Sequence, residues 1–162
     1  MQPNDEQVLL RLLKKLAVAQ RQRRPMPPAV FDALLKVVPL VTVETVITRT
    51  VKRKTQVLLT RRSKNETRYP GIWHVPGSFL RNLEQTKDVL TRIAKKELGV
   101  PKFTEAKFVT WLNVYDCPVG HFVSIVYRCE LGKATTRGRW FSPTKLPASV
   151  LAYHRDIVAT FA

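Results

Sequence analysis

A single amphipathic helix, predicted over residues 84–98, separates two blocks of strand-like sequence in this 162-residue chain. Val89, Leu90 and Ile93 recur along it at helical spacing, and Gly99 follows directly, as is typical of a helix C-terminus. The blocks on either side are rich in β-branched residues or alternate apolar and polar side chains, which favours strands. The predicted elements are helices over 5–20 and 28–37, strands over 40–47 and 56–60, a short strand near Trp73, the helix over 84–98, strands over 107–115 and 121–131, a short strand around Trp140 and Phe141, and a final helix from 147 or 151 onward. This order predicts an α+β domain with a mixed sheet.

The predicted first helix is amphipathic and lies outside the α+β region. Its apolar stripe consists of Val8, Leu9, Leu12, Leu13 and Leu16, and basic residues occupy the other face. A proline-containing run then ends the helix, so we divide the chain into an N-terminal helical extension, 1–27, and a domain, 28–162. Because the stripe is too large to leave in water, we expect it to pack on the domain or on a partner subunit, for instance in a homodimer.

The net charge of +16, from 28 Lys and Arg against 12 Asp and Glu, makes an anionic partner the leading interpretation. Nucleic acid is the first candidate and phosphorylated metabolites are the second, while an ordinary enzyme with a solvated basic surface is the alternative. No apolar run approaches the roughly 20 residues that span a bilayer, and no secretory signal is visible. Cys117 and Cys129 are too few for a disulfide framework and lack metal-ligand spacing. We therefore expect an intracellular, cytoplasmic protein that does not bind membranes.

Much of the positive charge is concentrated in the first predicted hairpin and the loop after it. Between residues 49 and 68 there are eight basic residues and a single acidic one, Glu66. The candidate nucleic-acid contacts in this stretch are Arg49, Lys52, Arg53, Lys54, Arg61, Lys64 and Arg68. Cations at this density suit a phosphate backbone, so one hypothesis is RNA binding or a place in a ribonucleoprotein.

The segment from Trp73 to Val100 resembles the Nudix box, G-x5-E-x7-R-E-U-x-E-E-x-G-U, in which U is a bulky aliphatic residue. The box positions are occupied by Ser78, Glu84, Arg92, Ile93, Lys96, Glu97, Gly99 and Val100. Three of these depart from the pattern, because Ser78 replaces the Gly, Ile93 the Glu after the Arg, and Lys96 the first Glu of the pair. The resemblance implies the Nudix fold, a mixed β-sheet sandwiched between helices.

The departures from the box are themselves similar to one branch of the family, GDP-mannose mannosyl hydrolase. That branch also has an aliphatic residue after the Arg and keeps only the second Glu of the pair. The similarity is carried by the runs 39–44, 58–62 and 92–99 and extends roughly over residues 31–146. It leaves residues 1–24 unaccounted for.

The resemblance implies a role for each matching residue. Glu97 would be the catalytic magnesium ligand, with the Gly77 carbonyl as a second ligand. Arg62 and Arg92 would bind the substrate's diphosphate and neutralise its charge as it departs. Glu44 matches a catalytic acidic position near the sugar.

Other positions bear on the same site. Trp73 is a further substrate-binding candidate, because an aromatic ring can stack on a base. The family's Gln-His pair, a metal ligand followed by the general base, corresponds to Ala134 and Thr135, which lack that chemistry. Phe79 stands where an Arg would meet the diphosphate. The histidines that could replace the missing base are His74, His121 and His154, and each is also compatible with an ordinary surface or strand position.

Two functions from different classes remain. The first is a divergent Nudix hydrolase that acts on a nucleoside diphosphate-linked substrate, such as a nucleotide sugar, with Mg²⁺ at Glu97. The second is a catalytically inactive Nudix domain that binds RNA or serves in a ribonucleoprotein, which Ile93, Lys96 and the missing Gln-His pair favour. Glu97 also has a purely structural alternative, an ion pair with Arg92 or another cation at the helix end.

Overall fold

The computed structural model describes residues 2–22, 24–66 and 68–162. Its helices are α1 (Pro3–Arg21), α2 (Pro28–Leu35), α3 (Thr86–Ile93) and α4 (Ala152–Phe161), with a π-helical turn, Ala94–Leu98, after α3. Its strands are β1 (Leu40–Val51), β2 (Lys54–Arg61), β3 (Trp73–His74), β4 (Gly77–Phe79), β5 (Glu105–Val114), β6 (Phe122–Glu130) and β7 (Arg139–Phe141). Each predicted helix and strand is found within a few residues of its predicted position, except at the end of α3.

Strand β1 is the central strand of a mixed sheet. It pairs in parallel with β6 and antiparallel with β2 and β4, and the main order of strands is β3-β2-β1-β6-β5. Residues 42–47 of β1 are all buried, as expected for a strand that is covered on both faces. Glu44 lies within this buried run, which is an unusual place for a carboxylate.

Two hydrophobic cores lie on opposite faces of the sheet. One packs α3 and the π-helical turn on the sheet through Val89, Ile93 and Leu98. The other packs α4 on the opposite face through Ile157 and Val158. This arrangement confirms the predicted α+β fold with a sheet between helices.

The predicted helix over 84–98 is wrong in one respect that concerns the site. The α-helix ends at Ile93, and residues 94–98 form a wider π-helical turn that ends at Gly99 with a left-handed backbone, φ 69°. A spacing of four residues would place residues 93 and 97 on the same side of a regular helix. Ile93 is buried in the core, whereas Glu97 faces the cavity described below.

Helix α1 does not pack its apolar stripe on the domain. Val8, Leu9, Leu12 and Leu13 are 39–52 % exposed, so the expectation of intramolecular packing is wrong for the described residues. Packing on a partner subunit and the division at residue 27 stay predictions. Of the helices in the described ranges, none is both long enough and apolar enough to cross a membrane.

Candidate active site

A cavity of about 250 Å³ opens beside the buried half of β1. Its walls come from β1, β2, β4, the π-helical turn, the start of α4 and the loop over 62–72. The charged and polar residues that line it include Glu44, Arg61, Arg62, Glu66, Arg68, Tyr69, His74, Glu97, Tyr153 and His154. Acidic, histidine and arginine side chains thus converge on one space from distant parts of the chain, and Glu44, His74 and His154 among them are buried.

Glu97 reaches the cavity from the π-helical turn. Its Oε2 accepts a hydrogen bond from Thr60 Oγ1 at 3.4 Å and lies 4.0 Å from His74 Nε2. Burial raises the pKa of Glu97, against the opposing effect of the nearby Arg62 charge.

His74 is a neutral hydrogen-bond acceptor in this site. Its Nδ1 must carry the proton, because it lies 2.8 Å from the Val75 carbonyl oxygen, which can only accept. Its Nε2 therefore accepts, and lies 3.2 Å from Thr60 Oγ1. Burial, together with repulsion from His154 and Arg62, lowers the pKa of His74 to about 3. Thr60 has one hydroxyl proton for two acceptors, His74 Nε2 and Glu97 Oε2. At least one of these two acceptors is therefore left without that proton, and both residues line the cavity.

Glu44 lies against Gly77, its register partner on β4. A Cβ atom on residue 77 would come 1.8 Å from Glu44 Oε2, so only glycine leaves room for this carboxylate. Helix α4 adds His154, whose Nε2 lies 3.7 Å from Glu44 Oε2. Within the described ranges neither of these two buried atoms has a hydrogen-bond partner.

Three arginines supply positive charge to the cavity. Arg61 is the last residue of β2, and Arg62 follows it. The Arg61 Nε–H donates to the Gly71 carbonyl oxygen (2.8 Å) and the Arg62 Nε–H to the Arg68 carbonyl oxygen (3.0 Å), which holds the following loop. Arg62 also pairs with Glu66 at 2.5 Å. Arg68 pairs with Asp32 of α2. Arg61 and Arg68, predicted as nucleic-acid contacts, therefore lie beside Arg62, the predicted diphosphate contact.

A model of the NUDIX domain family matches residues 40–161, which is most of the chain. The chain belongs to the Nudix family. Among curated proteins, the low-salt glycan biosynthesis protein Agl8 of Haloferax volcanii is 34 % identical over 98 residues, which cover 60 % of this chain and 59 % of that protein. The chain thus matches less than two thirds of the length of this relative.

Solved Nudix structures confirm the fold. The MutT Nudix hydrolase of Burkholderia pseudomallei matches with a TM-score of 0.63 at 21 % identity, over 77 % of this chain and 99 % of that one. The Nudix domain of Shewanella oneidensis NrtR, solved in complex with ADP ribose, matches with a TM-score of 0.60 at 18 % identity, over 83 % and 96 % of the two chains. At these identities the likeness concerns the fold alone.

Arg92 of the Nudix box does not line the cavity. Its guanidinium makes two hydrogen bonds of 2.8 Å to Glu84 and donates to Ser78 Oγ (2.5 Å) and the Phe79 carbonyl (2.9 Å). Burial would raise the pKa of Glu84, but hydrogen bonds from Arg92 and from the Arg81 backbone lower it overall. Arg92 is therefore held in a structural position outside the cavity, and its predicted contact with the diphosphate stays a prediction. It pairs with Glu84, so the predicted structural alternative of a Glu97–Arg92 ion pair is also wrong.

Trp73 lies outside the cavity as well. Its ring packs edge-on against Phe141, with centroids 5.0 Å apart, and the Arg61 guanidinium lies 5.7 Å from its centroid. This places it beside the α4-side core and at the edge of the sheet, and its contact with a substrate base stays a prediction. Thr135 occupies one position of the missing Gln-His pair. Its hydroxyl donates a hydrogen bond to the Leu98 carbonyl, and the residue does not line the cavity.

The remaining predicted nucleic-acid residues do not line the cavity. Lys52 and Arg53 form the exposed tip of the β1–β2 hairpin, both with a left-handed backbone, φ 49° and 62°. In the ranges that the structure covers, neither these two residues nor Lys54 forms an ion pair. Arg49 lies over the Trp140 ring at 4.2 Å, and Lys64 is exposed.

The sequence offered His74 and His154 only as possible replacements for the missing base, with an ordinary strand or surface position as the alternative, and both line the site. A signal for His154 exists, because residues 154, 157 and 158 fall on one face of a helix, and Ile157 and Val158 are plainly apolar. His74 precedes Val75 and Pro76 of the predicted lead-in to the Nudix box. No local pattern marks Thr60 or Tyr153 as members of the site.

Nudix hydrolases generally use divalent cations, and the donors in this cavity fit such an ion only in part. Glu97, with the neutral His74 beside it, offers an electron-rich corner, and Gly77 lines the same cavity. Within the described residues there is no group of three or more His, Cys, Asp or Glu side chains arranged to hold a metal. Mg²⁺ commonly binds through one or two carboxylates, several waters and substrate phosphates, so the residues suit a cation that is held jointly with a phosphorylated substrate.

Proposed function

We propose that this chain is a Mg²⁺-dependent hydrolase of a nucleoside diphosphate-linked substrate. The observation that carries the proposal is the combination, in one cavity, of the carboxylates Glu44 and Glu97 with Arg61, Arg62 and Arg68. The positive charge of the arginines suits a diphosphate, and a carboxylate suits the cation that accompanies it. A site that only binds a nucleic-acid backbone has no need of buried carboxylates, because they repel phosphate.

The size of the cavity supports the same class of substrate. About 250 Å³ is small for a ligand pocket, so it would enclose the diphosphate and the group linked to it, with the nucleoside nearer the mouth. Agl8 is named for glycan biosynthesis, and the NrtR domain was solved with ADP ribose, a sugar linked to a nucleoside diphosphate. Both relatives favour a sugar-linked diphosphate.

The roles of the residues follow from their positions. Glu97 and the Gly77 carbonyl would hold Mg²⁺, which would polarise the phosphoryl oxygens. Thr60 donates to Glu97 or His74 and so orients that corner. Arg62 would neutralise charge on the departing diphosphate. The attacking water needs a base other than Ala134 or Thr135, and we leave that role unassigned.

The test is turnover of a panel of nucleoside diphosphate sugars with and without Mg²⁺. We expect turnover that requires the metal, and a fall in kcat/KM of at least about 100-fold in Glu97→Gln, which keeps the shape but loses the charge. Glu130→Gln, an exposed carboxylate on β6, is the matched control and should be unchanged. The proposal fails if the wild type turns over no member of the panel, or if Glu97→Gln and the wild type are equally active.

RNA binding is a second candidate function, and the exposed cations at the hairpin tip favour it. Lys52, Arg53 and Lys54 lie outside the cavity, so they could bind a phosphate backbone without using the active site. This function does not exclude hydrolysis. Its test is the salt dependence of binding to a single-stranded RNA, compared between the wild type and a variant with reversed charges at the hairpin tip.

A further inference from the structure

Two buried polar atoms of the cavity lack a hydrogen-bond partner in the part of the chain that the structure describes. They are Glu44 Oε2 and His154 Nε2, whose side chains are 5 % and 2 % exposed. A buried polar atom without a hydrogen-bond partner destabilises the fold, and more so when the group is charged. Both residues line the cavity, so a bound molecule can supply the missing partners.

The hydrogen-bonding sense of each atom is fixed by its surroundings. The Val75 N–H donates to His154 Nδ1 at 3.1 Å, so Nδ1 is the acceptor of the ring and Nε2 carries a proton. Glu44 Oε2 is a carboxylate oxygen that accepts. Their separation of 3.7 Å is too long for a direct hydrogen bond, which leaves one donor and one acceptor side by side.

A donor and an acceptor at this spacing match a group that both accepts and donates. A hydroxyl does so, because its oxygen can accept from His154 Nε2–H while its proton is donated to Glu44 Oε2. A phosphate oxygen has no proton to donate and would be repelled by the carboxylate. An ammonium group cannot accept, and an alkyl group would leave both atoms unsatisfied.

We propose that His154 and Glu44 bind a hydroxyl of the group linked to the diphosphate, and thereby select a sugar over an apolar group. The inference rests on the proposed function and narrows its substrate class. The Tyr153 ring, which lines the same cavity, packs against His154 with centroids 4.0 Å apart and provides an aromatic wall. Because His154 belongs to α4, this assigns part of the substrate specificity to a helix outside the Nudix box.

The experiment compares two substrates that differ only in the linked group, a nucleoside diphosphate sugar and the corresponding nucleoside diphosphate cyclohexyl ester without hydroxyls. We expect the wild type to prefer the sugar by at least about 30-fold in kcat/KM, since the ester leaves a buried donor and acceptor unpaired. In Glu44→Gln and His154→Gln the preference should fall to within about threefold, mainly through a higher KM for the sugar. His121→Gln, outside the cavity, is the control and should keep the full preference.

Two further measurements keep the outcomes separate. His154→Gln weakens the bond to Val75, so its melting temperature is measured first; should it not fold, the wild type and Glu44→Gln decide the question. Binding of both compounds by calorimetry reports selectivity without turnover. Selective binding of the sugar without hydrolysis would overturn the proposed activity and retain this subsite. Equal binding or equal kcat/KM for both compounds would overturn the subsite, because a buried water would then be the partner of both atoms, and would leave the hydrolase proposal standing.

Discussion

Arg92 and Glu84 form a double hydrogen bond, with both N···O distances 2.8 Å, that closes the loop between β4 and α3. The same guanidinium reaches back to Ser78 Oγ and the Phe79 carbonyl, so one side chain ties the helix to the strand that begins with Gly77. Two of the Nudix-box residues in this chain thus fix the loop that joins β4 to α3.

We predict that breaking the pair of Arg92 and Glu84 lowers the free energy of unfolding. The two side chains are only 14 % and 11 % exposed, so Arg92→Met should lower the free energy of unfolding by about 2–4 kcal/mol, because it leaves Glu84 largely buried and unpaired. Urea denaturation measures the effect. Glu105→Gln, in an exposed ion pair with Lys107, is the control and should leave the midpoint unchanged. Unchanged stability of Arg92→Met together with abolished substrate binding would restore the diphosphate contact that the sequence predicted.

His74 predicts a dependence of stability on pH. Its pKa is about 3 in the folded protein against an ordinary 6.5, so below pH 6.5 the unfolded chain binds a proton that the folded protein does not. The stability it contributes is complete above pH 6.5 and is lost as the pH falls towards 3, by up to about 1.4 kcal/mol per pH unit. The raised pKa of Glu97 has the opposite effect on stability. The folded protein binds the proton of this acid more readily than the unfolded chain does, so the contribution of Glu97 to stability rises as the pH falls.

The measurement is chemical denaturation between about pH 7 and pH 5, in the absence of substrate. We expect the loss of stability over this range to be smaller in His74→Gln than in the wild type. His121→Gln, a histidine outside the cavity, should keep the wild-type slope. Parallel slopes for the wild type and His74→Gln would show that His74 is not buried in the neutral form.

The backbone and the Nudix box could be predicted because their signals are local. The β-branched run of β1 is buried as its composition indicates, and the box residues lie on or beside the predicted helix. The pair of Arg92 with Glu84 was not predicted, because the resemblance gave Arg92 a diphosphate contact. The π-helical turn Ala94–Leu98 had no such local signal in the sequence; the Val100 N–H donates back to the Ala94 carbonyl beyond it. Ile93 is buried in the core, whereas Glu97 lines the cavity.

The rest of the site depends on tertiary contacts that no spacing reveals. Helical periodicity places His154 on the buried face of α4, but not beside Glu44, because that contact arises only when α4 packs on the sheet. Likewise Arg61 and Arg68 resemble a run of basic surface residues in the sequence. They line the cavity because Arg61 bonds to Gly71 and Arg68 pairs with Asp32, which fold the intervening loop back on itself.

The exposed leucines of α1 predict self-association of the full chain. Leu9 and Leu13 are 43 % and 42 % exposed on the apolar face of α1. An exposed apolar stripe of this kind is typical of an interaction surface. Leu9→Gln with Leu13→Gln should therefore shift the chain towards the monomer, as measured by light scattering across a range of concentrations. Val18→Gln is the matched control, since Val18 is 54 % exposed but lies on the opposite side of the helix from Leu9. A monomer at every concentration for all three proteins would rule out the predicted homodimer.

Substitutions at the tip of the β1–β2 hairpin distinguish RNA binding from hydrolysis. Reversing two charges with Arg53→Glu and Lys54→Glu should weaken binding to a single-stranded RNA and flatten its dependence on salt, by about 0.7 in slope for each phosphate that the variant no longer binds. Lys102→Glu with Lys133→Glu is the matched control, because it makes the same change in net charge, from +16 to +12, at exposed positions outside the hairpin. Turnover of a nucleoside diphosphate sugar should respond to neither pair, since none of the four residues lines the cavity.

If both pairs weaken RNA binding equally, the attraction belongs to the net charge and the hairpin is not a specific surface. If the hairpin pair instead abolishes turnover and leaves RNA binding intact, the tip belongs to the substrate site, and the RNA-binding function is wrong.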